Sequence, residues 1–263
     1  MTAIAVEYLV FLIVILVVGY LLPAGLFHVI FFRNGFEGVD QGRIQQRKPT
    51  ERSVRHEIRH SLVSVALFAV YATITWQAVK AGWTAMYFTW ADYPWWTPIA
   101  GFVAAIVLHD TYFYWTHRLV HWPPLYPWVH AGHHKSLAPT PWAILSFQPL
   151  ETVVQFGIFA IFMFVVPMHP LTLLAYLLYD GIVNAAGHCG HEFISKTQRD
   201  HWFFNYTTVV THHDLHHSQF DCNYGQYFTV WDRLLGTFQD RPPKTDNGTA
   251  SQHTQFGADT VRR

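Results

Sequence analysis

The chain has 263 residues, of which 51% are apolar, 17% aromatic and 13% charged, against roughly 25% charged in ordinary soluble domains. Basic and acidic residues balance at 17 each, so nothing in the charge recommends nucleic acid as a partner. Two cysteines, Cys189 and Cys222, exclude a disulfide framework, and the absence of Cys-x-x-Cys excludes a thiolate cluster. What is left is a membrane protein with room for one large domain.

Residues 10–32 are almost unbroken apolar sequence, interrupted only by Gly19, Pro23, Gly25 and His28. At about 1.5 Å per residue the run can cross a hydrocarbon core of about 30 Å. A cleaved signal peptide is the rival reading. No basic residue precedes the run, it is too long for such a peptide, and no small-x-small site follows before Arg33, so an anchored helix is expected. Residues 33–60 form a polar stretch holding seven of the 17 basic residues. The positive-inside rule makes it cytoplasmic and puts the N-terminus outside.

Residues 61–81 are a second span. Residues 82–98 contain Trp90, Tyr93, Trp95 and Trp96 with Asp92 as their only charge, and read as an outer interfacial belt. Residues 99–121 return inward as a third span, with His117, Arg118 and His121 in its last turns. Residues 122–141 are turn-rich, with five prolines. Residues 142–166 and 171–186 are a fourth and fifth apolar run, the fifth short enough for the pair to be a tilted or re-entrant hairpin. Residues 241–263 are polar and expected to be disordered. The expected organisation is residues 1–98 as N-terminal membrane helices with a basic loop, 99–240 as the functional domain and 241–263 as a tail. The fold class is all-α: an integral-membrane, multi-pass bundle of about four to five membrane helices with a cytoplasmic histidine-rich metal-binding cap.

The chain has 18 histidines, most of them in four clusters that this threading places on the cytoplasmic side. His117 and His121 are i and i+4 on one helical face. His130-Ala131-Gly132-His133-His134 and His213-Asp214-Leu215-His216-His217 repeat one His-x-x-His-His spacing, and His188 stands between them. Within each repeat the first and fourth residues are expected to share a face, and the fifth to reach a neighbouring metal. Neutral imidazole is the commonest metal ligand among side chains. Nine donors are more than one ion can use, so the pattern predicts a two-metal site. The candidate ligands are His117, His121, His130, His133, His134, His188, His213, His216 and His217, with His191 and His212 in reserve. Asp110, deeper on the third span, suits a carboxylate that orients a ligand imidazole. His109 is rotated away from His117 and is not expected to be a ligand. His28, His56, His60, His169 and His253 fall outside the clusters.

Imidazole suits zinc, copper, iron and nickel alike, so spacing does not select the metal. Iron follows if the site does oxygen chemistry on the C–H bonds of a lipid. A membrane zinc hydrolase is one rival, but His191-Glu192 is followed by Ser195 where a zincin helix needs histidine. A histidine-rich metal-binding protein or metal transporter is another; transporters place ionisable groups at mid-membrane, whereas these clusters lie past helix ends.

The segment from His109 through Thr116-His117-Arg118-Leu119-Val120-His121, then His130 to Ser136 with Pro139-Thr140-Pro141, resembles the fatty acid hydroxylase/sterol desaturase superfamily. So do Thr211-His212-His213-Asp214-Leu215-His216-His217, Asn223-Tyr224-Gly225-Gln226-Tyr227-Phe228 and Trp231-Asp232-Arg233-Leu234-Leu235-Gly236-Thr237, with Asn184-x-x-x-His188 between. The likeness covers about half the chain; the first sixty residues carry no motif of it. It implies a helical membrane domain, two non-haem irons, dioxygen, and hydroxylation or desaturation of a sterol-like or fatty acyl lipid. It also carries the ligand role onto the nine histidines named above. The chain has no dinucleotide fingerprint, haem-attachment motif or iron–sulfur cysteines. A separate electron donor of cytochrome or ferredoxin type is therefore expected.

Overall fold

The apolar runs become long helices, whose limits are set by caps and prolines more than by hydropathy. A computed structural model describes residues 1–33, 42–45 and 47–240. The expected disordered tail and His253 lie outside the described residues, as does part of the basic loop.

Helix α1 runs over Ala3–Arg33. It contains two π turns, Ile15–Leu21 and Val29–Arg33. Pro23 has no N–H for the carbonyl four residues back, and the helix absorbs that mismatch in the widened turn just before it. Helix α2 is Glu51–Lys80, 30 residues long. It starts ten residues before the apolar run at 61, because Thr50 accepts the backbone N–H of Ser53 (3.1 Å) and Glu51 pairs with Arg55 (3.0 Å). Helix α3 is Thr97–Val120, and α4 is Pro149–Val165. The fourth apolar run was expected to be helical from 142; instead Pro141–Ala143 make one tight turn, and helix starts only where Pro149 can sit in its first turn. Helix α5 is Pro170–Gly187, and the shorter α6, Val210–Gln219, carries the second His-x-x-His-His. Among the described residues there are isolated bridges but no named strand.

Helix α1 packs on α2 and α5, α2 on α4, α3 on both α4 and α5, and α6 on α5. Tyr20, Phe68, Ala69, Ile144 and Phe156 fill one core, and Ala105, Ile158, Phe162, Met168 and Tyr176 a second. Gly181 lets α1 and α5 close up: a Cβ there would stand 2.8 Å from Pro23 Cγ and 3.0 Å from the Gly19 carbonyl. Among the described residues two helices, α1 and α2, are long and apolar enough to cross a membrane.

The two ends of the bundle differ. At one end Glu7 pairs with Lys80 (2.7 Å), and Trp83, Trp90, Trp95 and Trp96 are exposed. At the other, Gln45 donates to the Pro139 carbonyl (2.9 Å) and Thr140 donates to Glu57 (2.5 Å). These contacts bring the start of α2 onto the segment that carries His130 to His134.

Candidate metal centre

His117 stands in the last turn of α3, and His121 caps that helix. His130 to His134 follow a four-residue helical turn, Tyr126–Val129, and end in a tight turn at His133–Lys135. His188 caps α5, and His213, His216 and His217 lie on α6. These elements bring the nine histidines singled out from the sequence into two groups. One holds His117, His121, His130, His134 and His216; the other holds His133, His188, His213 and His217. Within each group the ligand atoms lie within 4.8 Å of one another. The groups abut, with the His134 and His217 rings 4.8 Å apart.

Membership corrects the expected pairing. The first and fifth histidines of each His-x-x-His-His stay together, and the fourth crosses over. His133 leaves His130 and His134 for the other group, while His216 leaves His213 and His217. On α6 the reason is helical: i+4 returns within about 40° of i, whereas i+3 falls about 60° to the other side. The His130 segment reaches the same partition through turns, not a helix.

The outer nitrogens say which nitrogen faces inward. Nδ1 of His117 lies 3.0 Å from the Tyr224 carbonyl, and Nδ1 of His216 lies 2.8 Å from that of Cys222. Nδ1 of His188 lies 2.8 Å from the Asn184 carbonyl, and Nδ1 of His130 lies 2.6 Å from Glu151 Oε1. These oxygens accept, so each Nδ1 donates and Nε2 keeps its lone pair. Yet the Nε2 atoms of His117 and His130 are 3.1 Å apart, and that of His134 is 3.1 Å from His130 and 3.2 Å from His216. In the other group Nε2 of His213 lies 3.1 Å from that of His188 and 3.2 Å from that of His217. Lone pairs facing lone pairs need a cation between them, so these residues fit bound metal. Burial first, then neighbouring imidazoles, hold His130, His133, His134, His213 and His217 well below the ordinary histidine value. Burial brings His188 and His216 down to about 4. All are neutral near pH 7, the form that binds metal.

Glu151 was not anticipated. It is the single acidic residue of the apolar run 142–166, and a lone buried carboxylate in such a run was the signal available. Asp110 takes a different place from the one expected. Its Oδ1 accepts the backbone N–H groups of Tyr227 (2.8 Å) and Phe228 (3.0 Å), tying the C-terminal segment to α3 instead of orienting an imidazole. His109 bonds Tyr176 (2.5 Å) and Tyr227 (3.0 Å) through Nδ1. The two reserves stand outside both groups. His191 donates from Nδ1 to the Cys189 carbonyl (2.7 Å) and packs on Phe31. His212 accepts the Val209 N–H (3.3 Å) and faces Asp240 (3.4 Å).

A cavity of about 680 Å³ runs up to the second group. Val103, Ile106 and Val107 of α3 and Tyr179, Ile182 and Val183 of α5 line it, as do His188 and His213. Of the residues that line it, Val103, Val107, Ile182, Phe193 and Phe203 are partly exposed.

The fatty acid hydroxylase family matches residues 102–237. The Delta(7)-sterol 5(6)-desaturase ERG3B of Gibberella zeae is 30% identical over 197 residues, covering 74% of this chain and 59% of that protein. The Delta(7)-sterol 5(6)-desaturase erg3C of Aspergillus fumigatus is 30% identical over 213 residues, covering 73% and 65%. The lathosterol oxidase of Rattus norvegicus is 30% identical over 191 residues, covering 72% and 62%. The chain thus spans about three-fifths of the length of the curated relatives it matches. No solved structure matches it.

Proposed function

This chain belongs to the fatty acid hydroxylase family, and on that premise we propose that it is a membrane-embedded di-iron oxidase acting on a lipid, in the first place a sterol-like one. The observation that carries the reading is that two imidazole groups abut and that His188 and His213 of the second also line a mostly apolar cavity. Cavities of some hundreds of cubic ångströms with apolar walls are what lipid-sized ligands need.

When bound, two irons would supply the reduction of dioxygen and the removal of hydrogen from an unactivated carbon. Hydroxylation then consumes one substrate, one dioxygen, two electrons and two protons to give an alcohol and one water. Desaturation takes the same inputs to an alkene and two waters. The chain's own part is positional. His117, His121, His130, His134 and His216 would hold one ion, and His133, His188, His213 and His217 the other. Glu151 holds the His130 ring by its Nδ1–H and raises its basicity. The walls of α3 and α5 align the C–H bond and keep water from the centre. The two electrons come from a separate donor, of cytochrome or ferredoxin type.

All five long helices carry exposed apolar side chains, among them Ile13, Ile74, Ile99, Val165 and Leu171. Such coverage supports a multi-pass bundle in lipid. Arg43, Arg52, Arg55 and Arg59 sit in or beside the start of α2, at the histidine end. That basic cluster supports a cytoplasmic metal centre.

The test is the purified protein loaded with iron in nanodiscs, supplied with dioxygen, an electron-donor system and a sterol carrying a ring double bond. A product lighter by two hydrogens or heavier by one oxygen is expected, with about two irons per chain, as two groups of this size require. Stable metal with no lipid product from sterols or fatty acyl lipids would overturn the reading in favour of a metal-binding or transport protein.

A further inference from the structure

Residues 42–45 lie outside the segment that matches the family, yet they are laced to the metal centre. The Glu192 N–H donates to the Gly42 carbonyl (2.7 Å) and the Ile44 N–H to the Gly190 carbonyl (3.0 Å), while Arg43 bridges to His191. These bonds hold the strand-like strap along the turn that follows His188. From there the Gln45 side chain, 8% exposed, donates from Nε2 to the Pro139 carbonyl (2.9 Å), in the segment leading on from His133 and His134. The same amide faces the Asp214 carboxylate, next to His213 on α6. Gly190 makes the approach possible: its φ is +68°, and a Cβ there would stand 2.5 Å from Gln45 Cδ. One amide therefore touches each of the three segments that supply His133, His188, His213 and His217. Glu192 reinforces the join, its Oε2 accepting the N–H (3.0 Å) and the hydroxyl (2.8 Å) of Thr211 at the start of α6.

We propose that Gln45 is a positioning residue for the four-histidine group, clasping its three segments in register. The inference rests on the proposed two-metal site and adds what holds one half of it. The two groups are braced differently. In the five-histidine group Glu151 and two backbone carbonyls hold the outer nitrogens of His130, His117 and His216. In the four-histidine group the Asn184 carbonyl holds His188, but Nδ1 of His133 and of His217 has no hydrogen-bond partner among the described residues. The aim of those two rings depends instead on where their segments lie. Metal–nitrogen distances tolerate only about 0.2 Å, so a loosened segment costs a ligand. Glutamine has the chemistry for the task, since Nε2 carries two hydrogens and a carbonyl and a carboxylate both accept. A glutamate at this place has no hydrogen to give and meets a second carboxylate.

The measurement is chelator competition and Mössbauer spectroscopy on the iron-loaded full-length protein in nanodiscs. In Gln45→Met, of similar length and volume but without an N–H, one iron per chain should leave about tenfold more readily, the lower end of what a supporting residue contributes. The Mössbauer signal of that iron should change, while the other iron keeps parental retention and spectrum. Gln45→Glu should behave as Gln45→Met. Gln45→Asn, which keeps both hydrogens on a shorter arm, should fall between them and the parent, and it decides the matter if Gln45→Met does not fold. Glu151→Leu should give the mirror image, loosening the other iron. Parental retention and spectra in Gln45→Met overturn the proposal. So does equal weakening of both irons, the mark of a merely structural role. A parent that holds two irons with no such split removes the clasp alone, whereas a parent that cannot hold two removes the two-metal reading and the clasp with it.

Discussion

Glu151 Oε1 lies 2.6 Å from Nδ1 of His130, and both side chains are sealed from solvent. The contact joins the first turn of α4 to the centre and fixes which nitrogen of His130 faces the other imidazoles. A carboxylate on the outer nitrogen of a ligand histidine typically contributes 10- to 100-fold in metal affinity or activity, as an order of magnitude. Glu151→Leu should therefore weaken metal retention in the five-histidine group by about that factor. Glu151→Gln keeps an acceptor and should fall between Leu and the parent. Chelator competition followed by metal analysis reads both, and a Glu151→Leu protein with parental retention would remove the orienting role.

The crossing of His133 and His216 makes a second expectation. His133→Ala leaves three imidazoles in its group and His216→Ala leaves four, so both should abolish lipid oxidation, with the greater metal loss in His133→Ala. His28, which packs on Trp142 and Phe32 away from both groups, should tolerate alanine. Metal content near one per chain in His133→Ala, against about two in the parent, is the expected reading. Parental metal and parental oxidation in both ligand variants would sink the two-metal proposal.

Acid should act on the same residues. Burial lowers His188 and His216 to about 4 from 6.5, and also holds His133, His213 and His217 well below 6.5. Between those values the unfolded chain takes up protons that the folded chain refuses. Stability is therefore full above the unfolded value of 6.5 and falls as pH drops from there toward 4. Bound metal, which also needs neutral imidazole, should leave over the same interval. Thermal unfolding and metal release measured from neutral pH down to about pH 5 give the check. A melting temperature independent of pH across that interval would count against it.

Much of this was legible in the sequence because the signals were chemical and local. Five apolar runs announced five long helices, and the nine histidines announced themselves by spacing. What escaped depended on three-dimensional register. Nothing in His-x-x-His-His says that the fourth residue changes group, since the His130 copy does so in a turn and the His213 copy on a helix. Glu151 reaches His130 across 21 residues, and only the fold sets that distance. Asp110 had the right type and depth for an imidazole partner, but the backbone of Tyr227 and Phe228 arrives there first. The polar first turns of α2 read as loop in the sequence because the cap at Thr50 is a weaker mark than an apolar onset.

Orientation across the membrane is proposed from the basic residues. The basic start of α2 lies on the segment bearing His130 to His134. By the positive-inside rule the C-terminus is expected in the cytoplasm. A reporter fused after Arg263 should be active only on the cytoplasmic side, and activity confined to the other face would reverse the assignment.

The mouth of the channel supplies the last expectation. Val107 on α3 and Ile182 on α5 both line the cavity and are partly exposed, so we propose that a lipid arriving from the bilayer would pass between them. Neither side chain belongs to either histidine group. Val107→Trp and Ile182→Trp add bulk where the outer face gives the helices room to accommodate it, while narrowing the way in. Metal content should then stay parental, kcat/KM for lipid should fall about tenfold or more, and the double variant should fall further. The decisive feature is the split between the two readouts. A passage role predicts intact metal with slow substrate capture, whereas a packing role predicts metal loss alongside it. If kcat/KM is unchanged in the double variant with metal intact, the lipid takes another path and the channel between α3 and α5 is not its route.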